Sequence, residues 1–182
     1  VPVIVPSMGW ERLFGLGERL GAAIAASARA RGLVLGRDLA VVVSADAIHY
    51  GADFKHVPFG DGGIDAYSKA TARDVSMLRA LGGPLEASKA RAFHSACVNP
   101  DSPADYRVTW CGRYSIPLGL VVLSRLGRDL GVPLAARPLA YATSVGAPEL
   151  PIRGDGLGET APANLYHFVG YPSLAIVRSA PE

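Results

Sequence analysis

The chain lacks any apolar run near the roughly 18 residues that a membrane-crossing helix needs, and its opening residues, Val1 to Val5, do not read as a signal peptide. Cysteine is scarce: two among 182 residues exclude a disulfide scaffold and suit a reducing, cytoplasmic compartment. Charge is also sparse, at 19% of residues, with 18 basic against 16 acidic side chains and a net charge of +2. The basic residues are scattered, which excludes the clustered face that a nucleic acid would require. There is no Cys-x-x-Cys, no His-Glu-x-x-His, no Gly-x-Ser-x-Gly elbow and no phosphate loop. Gly15, Gly17 and Gly21 fall inside a helical period with the wrong third spacing for a dinucleotide fingerprint. What the chain does have is hydrophobic content, 49%, which excludes the disordered class. Its length suits a single domain, 1–182, with a real core.

Periodicity supplies the elements. Val3 to Val5 is a short β-branched run stopped by Pro6, so a strand. From Glu11 to Arg31 the positions Leu13, Leu16, Leu20 and Ile24 mark a helix face, and Gly32 ends it. Leu39-Ala40-Val41-Val42-Val43 is apolar at every position, as expected of a strand covered on both faces in a parallel sheet. The three together predict a right-handed βαβ unit. A long irregular stretch follows, Ser44 to Gly63. Helical period returns from Ile64, with Ile64, Tyr67, Thr71, Leu78 and Leu81 marking one face, and Pro84 suits the first turn of a short helix. Asn99 to Pro103 is a turn, and Ser115 to Leu130 is a third long helix stopped by Gly131. Arg137 to Ser144 and Leu174 to Val177 read as strands, with a Gly- and Pro-rich surface loop, Gly146 to Thr160, between them.

Two segments carry chemistry. Ser44-Ala45-Asp46-Ala47-Ile48-His49-Tyr50-Gly51 lies just past the carboxyl end of the predicted buried strand, where open α/β sheets place their ligands. His49 can be a metal ligand or a proton shuttle, and Asp46 is near enough in sequence to orient it. Trp110-Cys111-Gly112-Arg113-Tyr114 leads into the third helix. A cysteine there feels the positive end of the helix dipole and the charge of Arg113, both of which favour thiolate. A thiolate ligates metal or attacks an electrophile. The competing readings are a buried inert cysteine and a Cys97–Cys111 disulfide, whose loop of about 15 residues would stabilise by roughly 3 kcal/mol. His56, His94 and His167 have no partner at metal-ligand spacing.

Together the two segments resemble a known family. Ser44-Ala45-Asp46 with His49-Tyr50-Gly51 is similar to the S-[ST]-D-[FL]-[ST]-H-[YW]-G segment of Memo-like proteins (AmmeMemoRadiSam system protein B), and Cys111-Gly112-Arg113 with Ile116 to their [IA]-C-G-[RY]-x-[PG]-I segment. Leu139 to Ser144 and Val169 through Ile176 look like the family's closing strands, and Val1 to Val5 like a strand that falls mid-chain in that family. The resemblance covers nearly all of this chain but only the C-terminal part of a family member. Ala47 departs from it, since the family has a bulky apolar residue after the aspartate.

The resemblance implies an α/β fold like that of class III extradiol dioxygenases, with a central, mostly parallel or mixed sheet flanked by helices. It implies a divalent metal, Fe2+ first, with Zn2+ or copper as alternatives. Carried over residue by residue, His49 takes the place of the proton-handling histidine, Asp46 stands beside it, and Cys111 replaces a glutamate ligand of the iron. His49 and Cys111 are the metal candidates, His49 and Asp46 the catalytic ones, and Tyr50, Arg113 and Tyr114 the substrate-binding ones. Two further histidines of such a site would come from an N-terminal half that precedes Val1, lies on another chain, or is supplied through a homo-oligomer. The expected function is a metal-dependent, dioxygenase-like oxidoreductase acting on a small molecule. The alternative is a non-catalytic binding module that captures a peptide or small molecule, with Tyr50, Trp110 and Tyr114 as aromatic anchors. A third reading is a metal-free cysteine nucleophile. Neither nucleic acid nor membrane is an expected partner.

Overall fold

The computed structural model describes residues 1–146 and 163–179. In chain order these form α1 (Trp10–Ala30), β1 (His49–Tyr50), α2 (Gly63–Ala80), β2 (Gly83–Pro84), α3 (Ala87–Cys97), α4 (Ser115–Leu130), β3 (Leu134–Thr143) and β4 (Phe168–Arg178). Helix α4 is the centre. Leu118, Leu120, Val121, Val122, Leu123 and Leu126 are all buried, and a helix that is apolar on most sides belongs inside a core. Gly131 ends it in a left-handed cap, at φ 68°.

Helix α1 packs along α4 more closely than its leucines suggest. Its most buried line is Leu13, Gly17, Gly21, Ala25 and Ala28, while the predicted Leu16, Leu20 and Ile24 are only half-buried beside it. The small residues let the two backbones approach. A Cβ on Gly17 would lie 2.6 Å from Val121 Cγ1, and one on Gly21 would lie 2.7 Å from the Val122 carbonyl oxygen. At the rim of the same contact, Glu18 accepts hydrogen bonds from Arg125 at 3.1 Å and from Arg128 at 2.8 Å.

The sheet runs β1-β4-β3-β2, and every pairing in it is antiparallel. β3 and β4 pair from Leu134↔Arg178 to Thr143↔Gly170, with a bulge between Pro138 and Ala140. A proline cannot donate to a ladder, so an irregularity at Pro138 is expected. Helix α2 lies against this sheet, where Ile48, Tyr50, Ala66, Ala70 and Phe168 form a small core of their own. The Tyr50 and Phe168 rings stack at 4.9 Å. A larger core gathers α1, α3 and α4 around Trp110, with Phe93 edge-on to its indole at 5.2 Å.

The fold is mixed α/β, as expected, but the parallel βαβ unit is not formed. Val3–Val5 and Leu39–Val43 make no ladder among the described residues, and Val42 is 88% exposed. Their composition is that of strands. Pairing, however, is a non-local event that composition does not guarantee. The strands that do pair most extensively, β3 and β4, run antiparallel. The loop expected at Gly146 to Thr160 lies, beyond Gly146, outside the described residues. Among the described residues no helix is long and apolar enough to cross a membrane.

The α1–α4 contact yields a direct test. Gly21→Val should destabilise the chain by about 1–3 kcal/mol through overpacking, despite the gain in helix propensity. Gly15→Ala, whose added Cβ would meet only the Arg19 guanidinium at 3.5 Å, should be neutral or stabilising by up to about 1 kcal/mol. Urea midpoints measure both, and equal midpoints for the two variants would refute the close-packing account.

Candidate metal centre

The site is made by two loops held side by side. Residues 46–50 enter β1 along β4, with the Ala47 N–H donating to the Gly170 carbonyl at 2.7 Å and the Gly170 N–H to the Ile48 carbonyl at 2.8 Å. Gly51 then turns the chain at φ 137°, a conformation that suits glycine, where a Cβ would also meet the Tyr166 carbonyl at 2.9 Å. The second loop is Thr109–Arg113, in which Cys111–Arg113 form a single 3-10 turn ahead of α4. Cross-links join the two. The His49 N–H donates to Thr109 Oγ1 at 2.9 Å, and the Thr109 hydroxyl donates back to the His49 carbonyl at 2.9 Å. Gly112 permits the approach, because a Cβ there would collide with Ala45 Cβ.

Asp46, His49 and Cys111 consequently converge, their ligand atoms all within 4.8 Å of one another. His49 Nε2 lies 3.8 Å from Asp46 Oδ2, beyond hydrogen-bond reach. That nitrogen is buried and has no hydrogen-bond partner. The Asp46 N–H points at Cys111 Sγ at 2.8 Å, and the thiol reaches the Asp46 carbonyl at 3.6 Å. Burial lowers the His49 pKa, and Arg113 adds to this against the opposing pull of Asp46, so the imidazole is neutral near pH 7. The ring packs edge-on to Phe54 at 5.0 Å, and Phe54 in turn stacks on His167 at 4.7 Å.

Cys111 departs from the thiolate expectation. The residue is exposed overall, but partial burial of its sulfur raises the pKa, outweighing the Asp46 N–H and Arg113. It also sits in the turn before α4, not at that helix's first residue, so the dipole argument reached too far. Both cysteines are free, Cys97 fully buried and Cys111 exposed, and no disulfide joins them. Burial pushes the Cys97 thiol up to about 12. A metal-free nucleophile at Cys111 draws no support from these environments, since it would need a lowered pKa.

The predicted aromatic and cationic contacts divide. Tyr50 and Trp110 have no exposed surface and belong to the core, Tyr50 with its hydroxyl donating to the Gly60 carbonyl at 2.6 Å. Tyr114 is buried as well and donates to the Pro103 carbonyl. Arg113 stays near the site. Its guanidinium lies over Tyr106 at 4.8 Å and Tyr114 at 5.3 Å, and donates to the Trp110 carbonyl at 3.1 Å. Its buried Nε has no partner.

No family model matches this chain, and no curated protein is detectably similar to it.

The residue that sequence reading missed is Asp74, fully buried on α2. Its Oδ1 accepts the Trp110 indole N–H at 2.6 Å, and its Oδ2 accepts the Ile48 N–H at 3.0 Å and the Tyr141 hydroxyl at 2.8 Å. Ile48 precedes His49 and Trp110 precedes Cys111, so one carboxyl group fixes both arms of the site. Burial raises its pKa, and the three hydrogen bonds oppose that shift. The signal was available. Asp74 falls between Thr71 and Leu78 on the predicted apolar face, and an acid on such a face needs partners.

Asp74→Asn tests this role. Its amide must turn an N–H₂ toward either the Trp110 indole N–H or the Ile48 N–H, leaving one buried donor unsatisfied. A loss of about 1–3 kcal/mol in unfolding free energy is expected. Unchanged stability would refute the assignment of Asp74 as the clamp between the two loops.

Proposed function

We propose that Asp46, His49 and Cys111 form the chain's share of a divalent metal centre in a dioxygenase-like oxidoreductase related to Memo-like proteins. The supporting observation is the buried His49 Nε2, unpartnered yet within a cluster that also offers a carboxylate and a sulfur. An imidazole nitrogen without a hydrogen bond is poorly placed unless something else occupies its lone pair. One nitrogen, one oxygen and one sulfur donor suit Fe2+, Zn2+ or copper better than Mg2+ or Ca2+, which prefer oxygen. Iron is our choice because of the family resemblance. When bound, such an ion supplies Lewis-acid and redox chemistry toward O2 and an organic substrate.

The residues divide the work by their chemistry. Cys111 is an anionic ligand alongside the Asp46 carboxylate, and its raised thiol pKa means that a proton must leave as it ligates. His49 is neutral and can donate its Nε2 lone pair to the ion or accept a substrate proton there. Asp46, 3.8 Å away, favours the imidazolium once that proton arrives. Arg113 supplies positive charge beside the cleft, suited to an anionic substrate group. Three donors leave coordination positions free, and the resemblance fills them with two histidines from a complementing segment. The extradiol-type fold would likewise need more strands than the described sheet contains. The binding-module reading is weaker, because its aromatic anchors Tyr50 and Trp110 have no exposed surface to offer.

Anaerobic titration of the chain with Fe2+, and with Co2+ as an optical probe of thiolate ligation, is the test. Cys111→Ser should abolish the thiolate-to-cobalt absorption and weaken binding by about a hundredfold or more, beyond the 10–100-fold typical of outer-shell changes. His49→Ala should weaken it comparably if the imidazole ligates, and leave affinity intact if its task is the proton. Unaltered cobalt spectra and affinity in both single variants and in their combination would sink the metal reading.

A further inference from the structure

The backbone of His49 is fixed twice, through Thr109 and along β4. Its ring is held differently. Among the described residues no hydrogen bond reaches either ring nitrogen, and Asp46 Oδ2 stays 3.8 Å from Nε2. The torsion that turns an imidazole about its Cβ–Cγ bond is broad, and a metal-ligating histidine usually has its ring held by a hydrogen bond at the second nitrogen. The ring contact that His49 does make is with Phe54, at 5.0 Å and 86° between the planes. Phe54 stands on a tight turn. The Gly51 N–H donates to the His56 carbonyl at 3.1 Å, and the His56 and Phe54 N–H groups both donate to the Gly51 carbonyl at 3.2 Å. Lys55 completes the turn at φ 52°, the one positive φ outside glycine among the described residues, and a conformation that costs a residue with a Cβ. The turn is tied to the body on both flanks: Asp53 Oδ2 lies 3.5 Å from His167 Nδ1, and Arg73 meets His56 Nε2 at 3.1 Å.

We propose that Phe54 is a positioning residue, whose ring holds the plane of the His49 imidazole so that Nε2 stays in the cluster with Asp46 and Cys111. Its surroundings separate this task from core packing. Among the described residues Phe54 joins none of the apolar clusters of the core, and its ring partners are two imidazoles, His49 and the stacked His167 at 4.7 Å. Of Ala52 to Lys55 it alone is half-buried, while the other three residues are exposed. A strained turn with three exposed residues contributes little to a core, yet it presents one ring to one histidine. Aromatic pairs set apart in this edge-to-face manner are directional as well as attractive. Phe54 carries no donor atom and no proton, so it acts only through His49. A ring already held in place gives up less freedom when its lone pair is taken. The proposal rests on the metal-centre reading for that consequence, whereas the orientation itself is a property of the metal-free chain.

Carbon relaxation of the His49 ring by NMR, on the whole metal-free chain, is the experiment, followed by titration with Co2+. Phe54→Leu keeps apolar bulk without a ring plane, and should leave the His49 ring clearly less ordered than its own backbone. Phe54→Tyr should restore the order. His167→Ala withdraws the ring stacked on Phe54 and should loosen His49 in the same direction. With Co2+, Phe54→Leu should bind about tenfold more weakly while keeping the thiolate-to-cobalt absorption from Cys111. A Phe54 that served stability alone would lower the urea midpoint of Phe54→Leu and leave the order of the His49 ring unchanged. That result would overturn the proposal, as would wild-type cobalt affinity in a variant whose ring has come loose. A wild-type chain that binds no Co2+ would remove the metal reading alone, because the ring's order in the metal-free chain still decides the role of Phe54.

Discussion

A buried carboxyl group on α2 is the constraint on which the rest of this structure depends. Asp74 has no exposed surface, and an ionised carboxylate in such a place without partners would cost several kcal/mol. Its donors come from three different parts of the chain: the backbone of Ile48, the indole of Trp110 and the hydroxyl of Tyr141 on β3. The interaction is expensive to break and geometrically exacting, so it acts as a staple. It ties a helix, a strand and two loops at a single point, and the candidate ligands His49 and Cys111 each stand one residue from it. Gly170 completes the arrangement, since a Cβ there would strike the Tyr141 hydroxyl and lie 2.7 Å from Asp74 Oδ2. The site is therefore not a pair of free loops that happen to meet.

Much of the helical structure was legible because helix periodicity is local. Glu11 to Arg31, Ile64 to Leu81 and Ser115 to Leu130 differ from α1, α2 and α4 by only a residue or so at each end. The buried face was less legible. On α1 the large residues Leu16, Leu20 and Ile24 flank a line of small ones, because contact with α4 rewards close approach as well as apolar bulk. On α2, Ile64 was assigned to the face and is 75% exposed, while Ala66, Ala70 and Asp74 are buried. Strands were read shorter than β3 and β4 turned out to be, and Leu39–Val43 was read as paired when its composition alone could not provide a neighbour.

The candidate site was legible to a similar degree and for a similar reason. Asp46, His49 and Cys111 stand out by chemical type in two loops, and loops at strand ends and before helices commonly carry such groups. Their convergence rests on Thr109, Gly112 and Asp74, none of which announces itself by reactivity. Tyr50 and Trp110 were misjudged in the opposite direction. An aromatic ring beside a reactive residue can face a ligand or the core, and sequence adjacency does not distinguish the two. Here Tyr50 stacks on Phe168 and Trp110 gives its N–H to Asp74.

The two arms of the candidate site are held unequally. The Cys111 arm is fixed on both sides, by Trp110 in the main core and by α4, which begins at Ser115. The Asp46–His49 arm has its backbone pairing from Ala47 onward, through Gly170, Ile48, Thr109 and β4. Upstream it continues into residues 40–45, whose backbone has no ladder partner among the described residues and which are held by side-chain packing, Val43 against Gly119 and Ala45 against Gly112. That packing orders the segment leading into Asp46 before a ligand arrives, and a pre-ordered site binds more tightly than one ordered on binding.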